Sequence, residues 1–185
     1  MRVIAGQAGG IRLLVPKSAT RPTMDRVKAA IFSSLGELVI ASRVLDLFAG
    51  SGALGIEALS RGAANAVFVD EDRQSATTIE KNLAKAHVDG RIYQENVFNF
   101  LRRPPPAKKY RIIFADPPYE KMQSGDSFTD KLLEDKALPW WLEPEGIFVL
   151  EKRPGEDMPP MKSWRLLRQK TYGATEVLFL SSTVE

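Results

Sequence analysis

The chain contains no cysteine among its 185 residues. A disulfide framework and a cysteine-ligated zinc site are therefore excluded, and a reducing compartment is the natural setting. Histidine is almost as scarce: His87 stands alone, at the end of an expected helix, where a solvated charge fits. No apolar run approaches the length of a membrane span, and Met1 to Gly10 lacks the apolar core of a secretory leader. These absences lead to the expectation of a soluble, cytoplasmic protein without a membrane partner. Internal repeats and long low-complexity stretches are missing too. The length leaves room for one compact domain and little more.

What is present is an ordinary globular composition, 44% hydrophobic and 26% charged. The charge is unevenly spread. Residues 1–30 hold Arg2, Arg12, Lys17, Arg21, Arg26 and Lys28 against Asp25 alone, a surplus of five. The remainder carries 20 basic and 22 acidic residues, which leaves the chain at +3. A basic arm on a near-neutral body suits a polyanionic partner, although a solvated basic hairpin would look the same.

Two short apolar runs, Val3–Ala5 and Ile11–Val15, flank Gly6, Gly9 and Gly10 and predict a β-hairpin. A helix follows, opened by Thr23, with Val27, Ala30, Ile31, Ser34, Leu35 and Leu38 on one stripe. Then strands and helices alternate. Strands are expected at Val44–Phe48, Ala66–Val69, Ile92–Gln94, Arg111–Ala115 and Ile147–Glu151. Helices are expected at Ala53–Arg61, Asp72–His87, Val97–Leu101 and Phe128–Leu138, with a basic, Pro-rich connector at Arg102–Lys109. Leu166–Lys170 and Glu176–Leu180 predict a terminal hairpin around Tyr172-Gly173-Ala174. The fold class is α/β: right-handed crossovers make a parallel sheet covered on both faces, and the last hairpin adds an antiparallel strand. Ligands of such sheets bind beyond the carboxyl ends of the strands.

Two motifs fall at those ends. The first is Asp46-Leu47-Phe48-Ala49-Gly50-Ser51-Gly52, running from strand into helix. Gly50 and Gly52 allow a tight turn and close approach of backbone to a ligand. With Gly55 they also spell the dinucleotide fingerprint, which is weak evidence by itself. Asp46, four residues before Gly50, would crowd a pyrophosphate but suits the ammonium of an amino-acid ligand. Asp70 ends the next strand, where an acid can accept both ribose hydroxyls; capping the following helix is the plainer alternative. Asn96, past the third strand, fits either an adenine edge or a turn.

The second motif is Asp116-Pro117-Pro118-Tyr119, at the end of the fourth strand. An aromatic amine is a poor nucleophile because its lone pair is delocalised into the ring. Two acceptors that grip its hydrogens favour the pyramidal nitrogen that attacks a methyl group. The Asp116 carboxylate and the Pro117 carbonyl can be those acceptors. The prolines fix the backbone and remove competing donors. Tyr119 offers a stacking face for the base, which must be flipped out or unpaired. No metal is required.

With Arg2-Val3-Ile4-Ala5-Gly6 and Arg21-Pro22-Thr23-Met24-Asp25-Arg26-Val27-Lys28 followed by Phe32, these motifs resemble the RsmD family of 16S ribosomal RNA guanine-N2 methyltransferases over nearly the whole length. The resemblance implies the class I methyltransferase fold, Rossmann-like and seven-stranded. It implies S-adenosylmethionine as donor, S-adenosylhomocysteine as product, and 16S ribosomal RNA of an assembling or assembled small ribosomal subunit as partner. A monomer is expected. Residues 1–40 would form an extension contacting RNA through Arg2, Arg12, Lys17 and Arg21, and residues 41–185 the catalytic domain. Thr23 and Arg26 would lie at the amino-acid end of the cofactor, with Asp46, Phe48, Ala49, Gly50, Ser51, Gly52, Asp70, Asn96, Val97 and Asp116 completing its site. Two departures stand out: Asp70 where glutamate is common, and a loose match at Glu95-Asn96-Val97. Adenine-N6 transfer to DNA or RNA fits the second motif equally well, but the chain is too short for a separate target-recognition domain. An NAD-dependent oxidoreductase would use Gly50, Gly52 and Gly55 but lacks a suitable histidine or tyrosine–lysine pair. A catalytically dead RNA-binding module is opposed by the intact Asp116.

Overall fold

The computed structural model describes residues 1–16, 25–119 and 127–184. Helix α1 (Asp25–Leu35) and a 3-10 turn (Gly36–Val39) precede β1 (Arg43–Leu47), α2 (Ala53–Ser60), β2 (Asn65–Asp70), α3 (Arg73–Ala86), β3 (Arg91–Gln94), α4 (Val97–Leu101) and β4 (Tyr110–Ala115). Then come α5 (Phe128–Glu134), α6 (Leu138–Trp141), β5 (Leu142–Lys152), β6 (Trp164–Tyr172) and β7 (Thr175–Ser182). The seven strands form one sheet in the order β3-β2-β1-β4-β5-β7-β6, parallel except for the antiparallel β5–β7 and β7–β6 pairs.

Side chains alternate across the sheet into two cores. Val44, Phe68, Ile112 and Phe114 pack with α1, α2 and α3, whereas Leu45, Leu47, Ile113, Ala115 and Leu150 pack with α4, α5 and α6. Gly55 brings α2 hard against the sheet, because a Cβ there would collide with the Phe68 ring. β6 closes the far edge and is exposed along nearly its whole length, with a register shift between Leu166 and Arg168.

Several expected elements take other forms. The N-terminal hairpin is a single bridge, Arg2 to Arg12, with Val3 N–H donating to the Ile11 carbonyl at 2.9 Å and Gly10 N–H to that of Val3 at 2.9 Å. Leu13 N–H adds a third cross-arm bond, to the Met1 carbonyl at 3.1 Å, but no longer ladder forms because the body of the protein takes several of the arm's other donors. Ile4 and Ala5 N–H donate to the Glu57 carboxylate at 2.7 and 3.1 Å, Ala8 N–H to Ser60 Oγ at 2.9 Å, and Leu14 N–H to Asn82 Oδ1 at 2.8 Å. Val3, Ala8 and Leu13 are buried in the same core as α1 and α2. The helix expected over Phe128–Leu138 is broken in two. Asp135 is extended, and its Oδ1 accepts from Ala137 and Leu138 N–H, both at 2.8 Å, starting α6 afresh. β5 begins at Leu142 rather than Ile147, and a register shift against β4 between Tyr110 and Ile112 accommodates the extra residues.

Glu57 is the polar centre of this assembly. Besides the two arm amides it accepts from Lys28 Nζ at 3.3 Å and Arg61 Nε at 2.7 Å, and both Lys28 and Glu57 are wholly buried. Lys28 Nζ also donates to the Arg2 carbonyl. Burial pulls the Lys28 ammonium below the usual lysine range, against the opposing pull of Glu57. Breaking such a pair strands an uncompensated charge in the interior. Glu57→Ala should therefore lower unfolding free energy by about 3–5 kcal/mol, measured by urea denaturation; a midpoint equal to wild type would show that Glu57 does not anchor the arm.

Candidate active site

At the end of β1 the chain leaves the sheet through Phe48, whose φ of +57° is rare outside glycine, then turns through Gly50 and Gly52, at φ +54° and +75°. Ala49 N–H donates to the Val69 carbonyl at 3.1 Å and Gly50 N–H to Asp70 Oδ2 at 2.8 Å, so the loop is strung between β1 and β2. At Gly52, the N-cap of α2, a side chain would press against Ile79 and Ile56. Asp46 Oδ2 accepts from Gly55 N–H at 2.9 Å, inside the first turn of α2.

The acids here are poised. Burial pushes the Asp46 carboxyl well above the usual carboxylate range; the Gly55 N–H works the other way, and the charges of Asp116 and Asp70 push it further up. Asp70 is also raised, by burial, against the N–H groups of Gly50 and Asp72 that favour its ionised form. Asp70 does not cap α3. That task falls to Asp72, which accepts from Gln74 and Ser75 N–H at 3.2 and 3.1 Å. Asp70 itself accepts two backbone bonds, which leaves lone pairs of its carboxylate for a diol.

Asn96 caps α4, accepting from Phe98 and Asn99 N–H at 3.1 and 3.4 Å, while its amide donates to Glu71 at 2.9 Å. Val97 is buried behind it. Phe48 meets Phe98 and Phe128 edge-on, with ring centroids 6.2 and 5.6 Å apart. Asp116 is half-buried just past β4, Pro117 is buried and Pro118 exposed. The Tyr119 hydroxyl donates toward the Lys152 carbonyl at 3.3 Å and Thr175 Oγ1 at 3.4 Å. The Arg153 guanidinium stands 5.5 Å from the Tyr119 ring centre.

The structure thus gathers Asp46, Phe48–Gly52, Asp70, Asn96, Val97 and Asp116–Tyr119 along the carboxyl edge of the sheet. Arg26 is exposed on the first turn of α1. Arg2 and Arg12 are exposed on the arm, Arg2 in a loose pair with Asp25 at 3.8 Å. Lys17, Arg21 and Thr23 lie outside the described residues. Asn82 escaped the sequence reading. Fully buried on α3, it donates to the Ser51 carbonyl at 2.8 Å and the Leu14 carbonyl at 2.9 Å, tying the glycine loop to the arm. Its signal was an amide at the spacing of the inward stripe of Ile79 and Leu83.

Two acids thus stand at the ends of adjacent strands, Asp46 beneath the glycine loop and Asp70 beside it. The family described as Conserved hypothetical protein 95 matches residues 1–181. Ribosomal RNA small subunit methyltransferase D of Escherichia coli (strain K12) is 37% identical over 176 residues, covering 94% of this chain and 85% of that protein. The YlbH protein of Bacillus subtilis (strain 168) is also 37% identical, covering 96% of each chain. The solved structure of the yhhF protein of Escherichia coli superposes with a TM-score of 0.82 at 34% identity, over 100% of this chain and 99% of the other.

The raised Asp46 carboxyl gives a signed expectation. A carboxyl whose folded pKa lies above its unfolded value of 3.8 costs stability progressively as pH rises between the two, and the cost is complete above the folded value. Asp46→Asn keeps an oxygen for Gly55 and removes the charge. The ligand-free variant should melt at or above wild type at neutral pH, the gap closing in acid, while S-adenosylmethionine binds roughly tenfold more weakly. Thermal melts across pH with and without ligand decide it: a variant less stable at every pH would mean that the charge is compensated in the free protein.

Proposed function

The chain belongs to the Conserved hypothetical protein 95 family, and from that premise we propose that it transfers the methyl group of S-adenosylmethionine to the exocyclic N2 of a guanine in 16S ribosomal RNA. The observation that carries this reading is the placement of Asp116-Pro117-Pro118-Tyr119 at the end of β4, beside the loop that closes β1. When bound, S-adenosylmethionine supplies a methyl group on a sulfonium sulfur and departs as S-adenosylhomocysteine once the carbon–sulfur bond has been exchanged for a carbon–nitrogen bond. Asp46 and Asp70 hold its ammonium and its ribose hydroxyls; the Asn96–Val97 turn and Phe48 border its base; Thr23 and Arg26 serve its carboxylate. Asp116 and the Pro117 carbonyl take the two hydrogens of the target amine, freeing its lone pair for in-line attack, and Asp116 then takes up the proton that the methylated nitrogen sheds. Tyr119, tethered at its hydroxyl, stacks the base. Catalysis here is mostly positioning in a dry, polar site.

The substrate is an assembling or assembled small ribosomal subunit in the cytoplasm. Residues 1–40 serve as its contact arm, with Arg2, Arg12, Lys17 and Arg21 toward phosphates. Among the described residues no helix is long and apolar enough to cross a membrane.

Small subunits from cells lacking the protein, incubated with it and methyl-labelled S-adenosylmethionine, should yield N2-methylguanosine on nucleoside mass spectrometry. N6-methyladenosine would replace this reading with the adenine one. Within that assay Asp116→Ala should cut the single-turnover rate roughly a hundredfold, the worth of about 3 kcal/mol of transition-state contact, at unchanged cofactor affinity. Asp70→Ala should do the reverse, weakening cofactor binding with a near-normal rate at saturation. Matching losses in rate and affinity for both variants would undo the division of labour. Neutralising Arg2, Arg12 and Lys17 should flatten the slope of log affinity against log salt by about 0.9 per lost duplex contact. Parallel lines for variant and wild type would move the RNA elsewhere.

A further inference from the structure

Strand register puts a second acid beside Asp116. Ala115, the last residue of β4, is paired with Leu150 of the parallel strand β5, so Asp116, just past β4, follows Ala115 as Glu151 of β5 follows Leu150. Ala115 and Leu150 both face the α4–α6 core. Alternation turns the residues after them to the opposite face. Asp46 of β1 shares that face, since its neighbours Leu45 and Leu47 point into the α4–α6 core, and it lies close enough to Asp116 to feel its charge. Asp116 and Glu151 thus stand side by side at the ends of β4 and β5, with Asp46, level with Phe114 and Val149, one pleat behind them. Glu151 is only 3% exposed, and the transfer chemistry described above makes no use of it.

Tyr119 connects this acid to the substrate. Its hydroxyl reaches the Lys152 carbonyl and Thr175 Oγ1, so the ring extends from the end of β4 over the end of β5 to the start of β7. A base stacked on that ring, with its amine at Asp116, has the end of β5 as its next neighbour. Guanine and adenine differ at that point. Of the two ring nitrogens flanking guanine N2, N1 carries a hydrogen, whereas the ring nitrogen beside adenine N6 is a bare acceptor. Asp116 and the Pro117 carbonyl can grip either amine and cannot discriminate.

We propose that Glu151 accepts the N1–H of the target guanine and is the residue that makes this site read guanine. The inference rests on the methyl-transfer reading of Asp116. A carboxylate at this place attracts the N1–H and repels the N1 lone pair of adenine, so one side chain supplies both the favourable contact and the rejection. A site built to receive a hydrogen bond rejects analogues lacking the donor far more strongly than a site selecting on shape.

The test uses small subunits reconstituted with 16S RNA carrying either guanine or 2-aminopurine at the nucleotide located by the labelling experiment. The analogue keeps the amine and lacks the N1–H. Single-turnover rates at saturating S-adenosylmethionine should favour guanine by about a hundredfold in wild type. In Glu151→Gln the guanine rate should fall at least tenfold and the 2-aminopurine rate hold or rise, bringing the ratio near one. Glu151→Asp, which keeps the charge and shortens the reach, should give an intermediate ratio and answers the question should the glutamine variant fail to fold. A merely structural Glu151 would slow both substrates by the same factor; an unchanged ratio in the variants, or no discrimination in wild type, overturns the proposal. Absence of methylation on guanine by wild type would instead strike the methyl-transfer reading itself.

Discussion

The carboxylate of Glu57 receives donors from three stretches of chain: two backbone amides of the arm, the ammonium of Lys28 on α1, and the guanidinium of Arg61 just past α2. None of these groups could be buried alone without large cost. Together they fix the arm and α1 against the far end of the helix whose near end carries the glycine loop. α2 is thus held at both ends, by Glu57 behind and by Asp46 on Gly55 N–H in front. Asn82 adds a second strut from Leu14 to the Ser51 carbonyl. The arm is part of the scaffold that shapes the loop.

The turns at the carboxyl edge were legible in the sequence because local chemistry dictates them: glycines where φ is positive, prolines after an acid at a strand end. Apolar alternation likewise marked β1, β2 and β4. The struts were not legible. Glu57 sits in a helix apolar on every side, ALGIEALS, and Asn82 lies on the buried stripe of α3. A polar residue at an inward position signals a buried partner but does not say which, since the partners include backbone groups 31 to 68 residues away. The same limit explains the N-terminal hairpin: its apolar spacing is right for a ladder, but four of its donors, Ile4, Ala5, Ala8 and Leu14 N–H, are claimed by distant side chains. The break at Asp135 was missed for a different reason, because an apolar stripe continues across it while the carboxylate quietly restarts the helix.

Charge is distributed so that the free protein and its ligands are complementary. At the carboxyl edge of the sheet, burial and then the charges of Asp116 and Asp70 raise the cost of ionising Asp46, a strain that a cationic ligand would relieve. Arg2 and Arg12 of the basic arm are exposed to solvent. The second buried ion pair, Lys152 with Glu176 at 2.9 Å, stands where β5 meets β7. Glu176 also accepts from Gln169 and Thr171 of β6; against the upward push of burial, Lys152 and these bonds hold its carboxyl below the usual range, so it stays ionised beside Tyr119.

The long exposed strand β6 leaves a row of backbone donors and acceptors open at the sheet's edge, the sort of template on which a second sheet can grow. Leu166 and Leu167 are 37% and 50% exposed there. Arg165, Arg168 and Lys170 are spaced along the same strand, and the register shift between Leu166 and Arg168 bends it. Another copy approaching in strand register would bring these cations against their own counterparts along a curved, mismatched border. The edge is thereby guarded against open-ended polymerisation, a safeguard of solubility that costs the catalytic end of the sheet nothing.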